Sequence, residues 1–267
     1  MDPGLFYETH QAWPPETRAS VARYLLSTLP GPPPRRCLFL GAGTGVNDVL
    51  PFARIAAPAD RLLASDVVPG YLERLGEHAA RAGLRNVEVR LIDIRRDLGR
   101  LETFDLATLF FVIHRLDRWE EVLEPLAARI GPGGSLFLSE FAGPGGVIHL
   151  SNERGGDGRD PVSRMIRRYF ELLPEPFDPP LKSTRIGPVR DRLSRRLQAV
   201  EHRDFAWPQR LTPADMHAKI AAKAYAPYFS TRPPAEALDT LRREFAAEWQ
   251  TPVNTLEVIR LYRLRRP

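Results

Sequence analysis

From about residue 35 to residue 141, short apolar runs alternate with amphipathic stretches, the grammar of repeated βαβ units around a parallel sheet. Strands are predicted at Cys37–Leu40, Arg61–Ser65, Val87–Leu91, Leu106–Phe111 and Ser135–Glu140. Helical spacing predicts helices over Gly45–Ile55, Gly70–Ala82 and Arg118–Ile130, each near a Gly or Pro able to cap or stop it. Ahead of these, Val21, Tyr24, Leu25 and Leu29 recur three and four positions apart and predict a helix from about Pro15 to Leu29. The run Pro30-Gly31-Pro32-Pro33-Pro34 ends it, so residues 1–34 read as an N-terminal cap and helix and residues 35–267 as the main domain.

After residue 141 the pattern changes. Residues 143–160 are rich in Gly and charge, and 161–197 read as one or two helices interrupted by Pro174, Pro176, Pro179 and Pro180. Residues 142–199 are therefore expected to form a helical lid inserted after the fifth strand. The alternation returns with a strand over Val200–Ala206, helices over Pro213–Ala224 and Pro234–Trp249, and a last strand over Thr255–Tyr262. The expected class is α/β, Rossmann-like and doubly wound, with a mostly parallel seven-stranded sheet, an N-terminal helical cap and the lid.

Composition narrows the picture. The 267 residues are 43% hydrophobic and 27% charged, which excludes the disordered and fibrous classes. No run reaches the roughly 18 apolar residues of a membrane span, and the N-terminus lacks the charged and apolar regions of a secretory signal; no membrane association and a cytoplasmic location are expected. Cys37 is the single cysteine and the six His are scattered, so neither an internal disulfide nor a metal site is expected. The formal charge of +5 comes almost wholly from Arg, since Lys occurs only at 182, 219 and 223. That balance permits nucleic-acid binding. However, Arg190, Arg192, Arg195 and Arg196 read as a solvated stripe beside Leu193 and Leu197, and acidic residues are interleaved through most of the chain. Nucleic acid is accordingly not the expected partner.

The segment carrying most chemistry is Cys37-Leu-Phe-Leu-Gly41-Ala42-Gly43-Thr-Gly45, an apolar strand running into three Gly at alternate positions and then a helical pattern. Gly there permits positive φ and close approach of a ligand to the backbone. The next strand ends in Asp66, about 20 residues past Gly45, where a carboxylate can accept bonds from both hydroxyls of a ribose. The spacing is G-x-G-x-G, with Val46 where a dinucleotide fingerprint continues, and no Gly-Lys-Ser or Gly-Lys-Thr is present; dinucleotides and nucleoside triphosphates are disfavoured.

At these residues the chain resembles the class I S-adenosylmethionine-dependent methyltransferases. Leu40-Gly-Ala-Gly-Thr-Gly45 is similar to the family's first motif, Ser65-Asp66-Val67 to the ribose-binding strand end, and Leu91-Ile-Asp93-Ile94 to the strand end that contacts the adenine amino group. Phe104-Asp-Leu-Ala-Thr-Leu-Phe110-Phe111-Val-Ile-His114 resembles the fourth strand and its loop, and Gly131-Pro-Gly-Gly134 the turn into the fifth. The tail, Leu211-Thr-Pro-Ala-Asp-Met216 and Ala222-Lys-Ala-Tyr225, is similar to small-molecule members. The resemblance implies S-adenosyl-L-methionine as cofactor, held by Gly41, Ala42, Gly43, Gly45, Asp66, Val67, Asp93, Ile94, Phe110 and Phe111. It also implies a small-molecule methyl acceptor and a monomer or homodimer. One position departs from the family: Phe39 stands where an Asp or Glu usually helps to hold the amino group of the methionine moiety. Asp48 reads first as a partner of the following helix dipole and second as a substitute for that acid.

Single residues carry two readings each. Asp93 is a turn or cap residue, or, in register with Asp66 and the glycine turn, a ligand contact. His114, just past the fourth strand, is a candidate general base for a hydroxyl acceptor, with a near-neutral pKa suited to it, or a structural His. Tyr7, His10 and Trp13 either cap the site or pin the terminus. Glu140, His149, Trp207 and Tyr225 are candidates for the acceptor pocket. The alternatives to methyl transfer are a non-methylating reaction on the same cofactor, a silent cofactor-binding partner subunit, and RNA or protein methylation.

Overall fold

The computed structural model describes residues 8, 12–113, 116, 118–141, 160–172, 193, 196–221 and 235–267. Its strands are β1 (Arg36–Leu40), β2 (Arg61–Asp66), β3 (Val87–Leu91), β4 (Phe104–Leu109), β5 (Ile130–Phe141), β6 (Gln198–Leu211) and β7 (Val253–Arg265). They form one seven-stranded sheet in the order β3-β2-β1-β4-β5-β7-β6. β1 runs parallel to both β2 and β4, β2 to β3 and β4 to β5. The helices are α1 (Pro15–Ser27), α2 (Val49–Ala53), α3 (Pro69–Arg81), α4 (Trp119–Ala128), α5 (Pro161–Glu171), α6 (Pro213–Ala221) and α7 (Ala235–Glu244).

The chain divides into two compact units, Met1–Glu140 with Arg185–Phe205 and Arg260–Pro267, and Phe141–Thr184 with Ala206–Ile259. In the first, alternation along β1 sends its side chains to opposite faces of the sheet. Phe39 packs against Phe52 of α2, ring centroids 5.4 Å apart. Leu38 and Leu40 join Leu98, Leu123 and Leu126 in the core on the other face. α3 shows why its sequence is helical there: Pro69 begins it, and Gly83 at φ +68° ends it in a Schellman turn, with Leu84 N–H donating to Ala79 O and Gly83 N–H to Ala80 O, both at 3.0 Å. In the second unit, Val162, Met165, Ile166 and Tyr169 of α5 meet Met216, Ile220, Leu241 and Phe245 in a separate small core.

Several expected boundaries move. The helix expected over Gly45–Ile55 is only Val49–Ala53, because Gly45 has φ +72° and so cannot enter a right-handed helix. The strand expected over Leu106–Phe111 stops at Leu109, and Phe111 takes φ +55°. The Gly131–Gly134 segment is an irregularity within β5 rather than a turn ahead of it: Phe104 pairs with Ile130 and Leu106 with Ser135. β6 and β7 run past Val200–Ala206 and Thr255–Tyr262 at both ends, and α7 ends at Glu244 before a short 3-10 turn, Ala246–Glu248; residues 222–224 of the helix expected over Pro213–Ala224 lie outside the described residues. Among the described residues no helix is long and apolar enough to cross a membrane.

Candidate functional site

The strand order reverses at β1, with β2 and β3 on one side and β4 and β5 on the other. The crevice beyond the carboxyl ends of β1 and β4 is where ligands of open parallel sheets gather. The turn after β1 forms one wall. Gly41, Gly43 and Gly45 take φ of +66°, +55° and +72°, a left-handed conformation that explains Gly at alternate positions. The turn is tied to β2: Ala42 N–H donates to Ser65 O and Gly43 N–H to Asp66 Oδ2, both at 2.9 Å. Asp66 Oδ1 also accepts from Val68 N–H at 3.0 Å. Its half-buried carboxylate keeps spare acceptor capacity, and the adjacent Val67 is 55% exposed, an apolar surface at the strand end.

The opposite wall is aromatic. Phe110 is buried and Phe111 is partly buried; Phe111 N–H donates to Ser139 Oγ at 2.9 Å, which holds the left-handed residue against β5. A non-glycine residue at positive φ is a local strain of the kind concentrated at functional sites. Trp13, from the segment before α1, packs on these two rings. Its main-chain N–H donates to Asn47 Oδ1 at 2.8 Å, and its ring lies 6.3 Å from Phe110 and 6.0 Å from Phe111. A buried Trp ahead of the first helix is legible in the sequence as a cap; its two aromatic partners are not.

Asp93 and Ile94 follow β3 at the same edge of the sheet, where Ile92 N–H donates to Asp66 O at 3.3 Å. The Asp93 carboxylate is gripped by Arg95, Nε to Oδ1 at 2.9 Å and a terminal guanidinium nitrogen to Oδ2 at 3.0 Å. That bonded guanidinium holds it below the usual carboxylate range, and its carbonyl accepts from Arg96 and Asp97 N–H in a turn. The side chain of Ile94 is buried in the core. Phe39 is fully buried against Phe52, so its position faces core rather than crevice. Asp48 is buried and caps α2 through Val49 N–H at 2.7 Å; burial pushes its carboxyl up to about 7. Glu140 lies at the end of β5 and Trp207, buried, in the part of β6 belonging to the second unit. Tyr7, His10, His114, His149 and Tyr225 lie outside the described residues.

The residues of the turn fit the nucleoside part of the cofactor that the resemblance implies. Thr44 Oγ1, between Gly43 and Gly45, is buried with no protein hydrogen-bond partner among the described residues, a polar group that a bound ligand would satisfy. Together with Asp66 and Val67 it suits a nucleoside. No acid stands at position 39 for the amino-acid end.

Residues 38–136 match a family model described as a methyltransferase domain. An uncharacterized protein of Synechococcus sp. is 30% identical over 153 residues, covering 52% of this chain and 35% of the relative. The chain thus spans about a third of that curated relative's length. Among solved structures, a putative methyltransferase from Bacillus halodurans superposes with TM-score 0.56 at 13% identity, over 93% of this chain and 99% of the other. The cyclase SpnF superposes with TM-score 0.52 at 15% identity, over 93% and 80%.

Proposed function

We propose that this chain, which belongs to the class I S-adenosylmethionine-dependent methyltransferases through residues 38–136, transfers a methyl group to oxygen, nitrogen or carbon of a small molecule. The observation that carries the reading is the tie between the glycine turn and Asp66, which sets a carboxylate beside three left-handed glycines and an exposed Val67.

When bound, the cofactor supplies an electrophilic methyl on a sulfonium. The work left to the chain is binding, alignment and exclusion of water. Asp66 would accept the ribose hydroxyls, the Val67 side chain would lie under the base, and Thr44 would offer its hydroxyl. Phe110, Phe111 and Trp13 supply an apolar wall, which favours a sulfonium losing its charge over water. His114, a few residues past β4, is the candidate to take a proton from a hydroxyl acceptor.

A second reading, a non-methylating reaction on the same cofactor, has one observation in its favour. Position 39 holds a buried Phe packed on Phe52, so the amino-acid end of the cofactor lacks its usual acid. The similarity to a cyclase fits a fold that hosts more than one chemistry.

The test is calorimetric binding of S-adenosylmethionine and S-adenosylhomocysteine to wild type and Asp66→Ala. Loss of the carboxylate should weaken both by about ten- to a hundredfold. Binding followed by no product with any small-molecule extract would favour the second reading. No binding of either ligand at millimolar concentration would sink both.

A further inference from the structure

A cavity lies among α1, α2 and α3. It has a volume of about 400 Å³ and is lined by Arg18, Val46, Leu50, Arg54, His78, Arg81 and Ala82. Three guanidinium-bearing side chains and an imidazole line it, and among the described residues no acidic side chain does. We propose that this cavity binds a phosphate monoester of a small organic molecule, at a site separate from the cofactor crevice.

Of the charges facing the cavity, that of Arg18 is poorly compensated from within the chain. Arg18 donates from one terminal nitrogen to Val46 O at 3.3 Å, a long bond, and its Nε is buried with no partner among the described residues. Burial and the neighbouring charge of Arg54 both pull the Arg18 pKa down, against a smaller opposite pull from Glu16. An arginine does not relieve such a conflict by losing its proton, so an anion in the cavity would relieve it. The nearby acids are largely engaged: Glu8 bonds His78 Nε2 at 2.8 Å and lies 3.8 Å from Arg74, and Glu77 sits 4.0 Å from Arg81. Arg81 donates to His78 Nδ1 at 3.0 Å, which with the Glu8 contact fixes the imidazole as part of the wall.

Guanidinium forks match the oxygens of a tetrahedral dianion better than a single carboxylate. Val46, Leu50 and Ala82 add apolar wall, and the volume falls within the range of small-molecule pockets. Both features suit a monoester with a carbon body rather than free phosphate. The cavity adjoins Val46, the residue after Gly45, and Leu50 N–H donates to Gly45 O at 2.9 Å, so its wall is continuous with the glycine turn.

The test is calorimetry at constant ionic strength with phenyl phosphate, inorganic phosphate and acetate. Arg54 and Arg81 are exposed at the helix ends, so Arg54→Gln and Arg81→Gln should fold. Phenyl phosphate should bind saturably and more tightly than inorganic phosphate, with acetate weakest, and each variant should weaken it by about tenfold. Saturating S-adenosylhomocysteine should leave phenyl phosphate binding to the wild type unchanged, which separates the site from the cofactor crevice. Wild-type affinity in both arginine variants, or no saturable binding at millimolar phenyl phosphate, would overturn the proposal. Equal affinity for inorganic and phenyl phosphate would overturn the monoester assignment.

Discussion

The main-chain amide of Gly43 donates to the carboxylate of Asp66 at 2.9 Å, so the residue expected to hold a ribose also holds the turn that receives it. Asp66 accepts a second amide, from Val68. Asp66→Ala should therefore lower stability by about 2 kcal/mol even without ligand, through loss of two charge-assisted bonds. Asp66→Asn, which keeps one acceptor oxygen, should lose less. Urea denaturation of the three proteins checks the order, and equal midpoints would show that the carboxylate does not brace the turn.

Gly41 and Gly31 separate conformation from space. Both have positive φ, +66° and +63°, yet a Cβ on Gly41 would lie 2.2 Å from Val112 Cγ2 whereas one on Gly31 meets nothing within 4 Å. Gly31→Ala should cost about 1 kcal/mol, the price of left-handed backbone alone. Gly41→Ala should cost about 2 kcal/mol more through overpacking. Val112→Ala in the Gly41→Ala background should recover part of that difference, as read from thermal midpoints.

Asp48 gives the fold a defined pH dependence. Its carboxyl is raised to about 7 by burial, so the folded chain binds a proton that the unfolded chain releases near pH 4. Its contribution to stability is present below about pH 4 and is lost as pH rises through about 7, with a slope approaching 1.4 kcal/mol per pH unit between them. Asp48→Asn retains a capping side chain and should remove that slope, making the variant the more stable protein at pH 8. Denaturation curves from pH 5 to pH 8 decide it; parallel curves would mean that Asp48 ionises freely.

Trp13 is buried, bonded to Asn47 and ringed by Phe110 and Phe111. Trp13→Ala should cost about 3 kcal/mol or more. It should also weaken S-adenosylhomocysteine binding by opening the crevice to water. Unchanged affinity, measured where the variant is still folded, would make Trp13 a structural pin only.

The central strands β1, β2 and β4 were legible because parallel strands buried on both faces read as continuous apolar runs, whereas β3, at the sheet edge and largely exposed, was legible by its alternation of apolar and charged residues. The three glycines and Asp66 were legible for a different reason: left-handed backbone and a carboxylate at a strand end leave few residue choices. The sequence by itself thus determined the sheet, the turn and the acid that meets it. Tertiary structure alone decided which partners the remaining side chains take. Asp93 closes on Arg95, two positions away, an outcome that strand position does not encode. Phe39 points into the core because alternation along β1 places it against Phe52. The cavity of Arg18, Arg54, His78 and Arg81 joins residues up to 63 positions apart from α1, α2 and α3; helical periodicity marks each face, but only packing brings the three faces together.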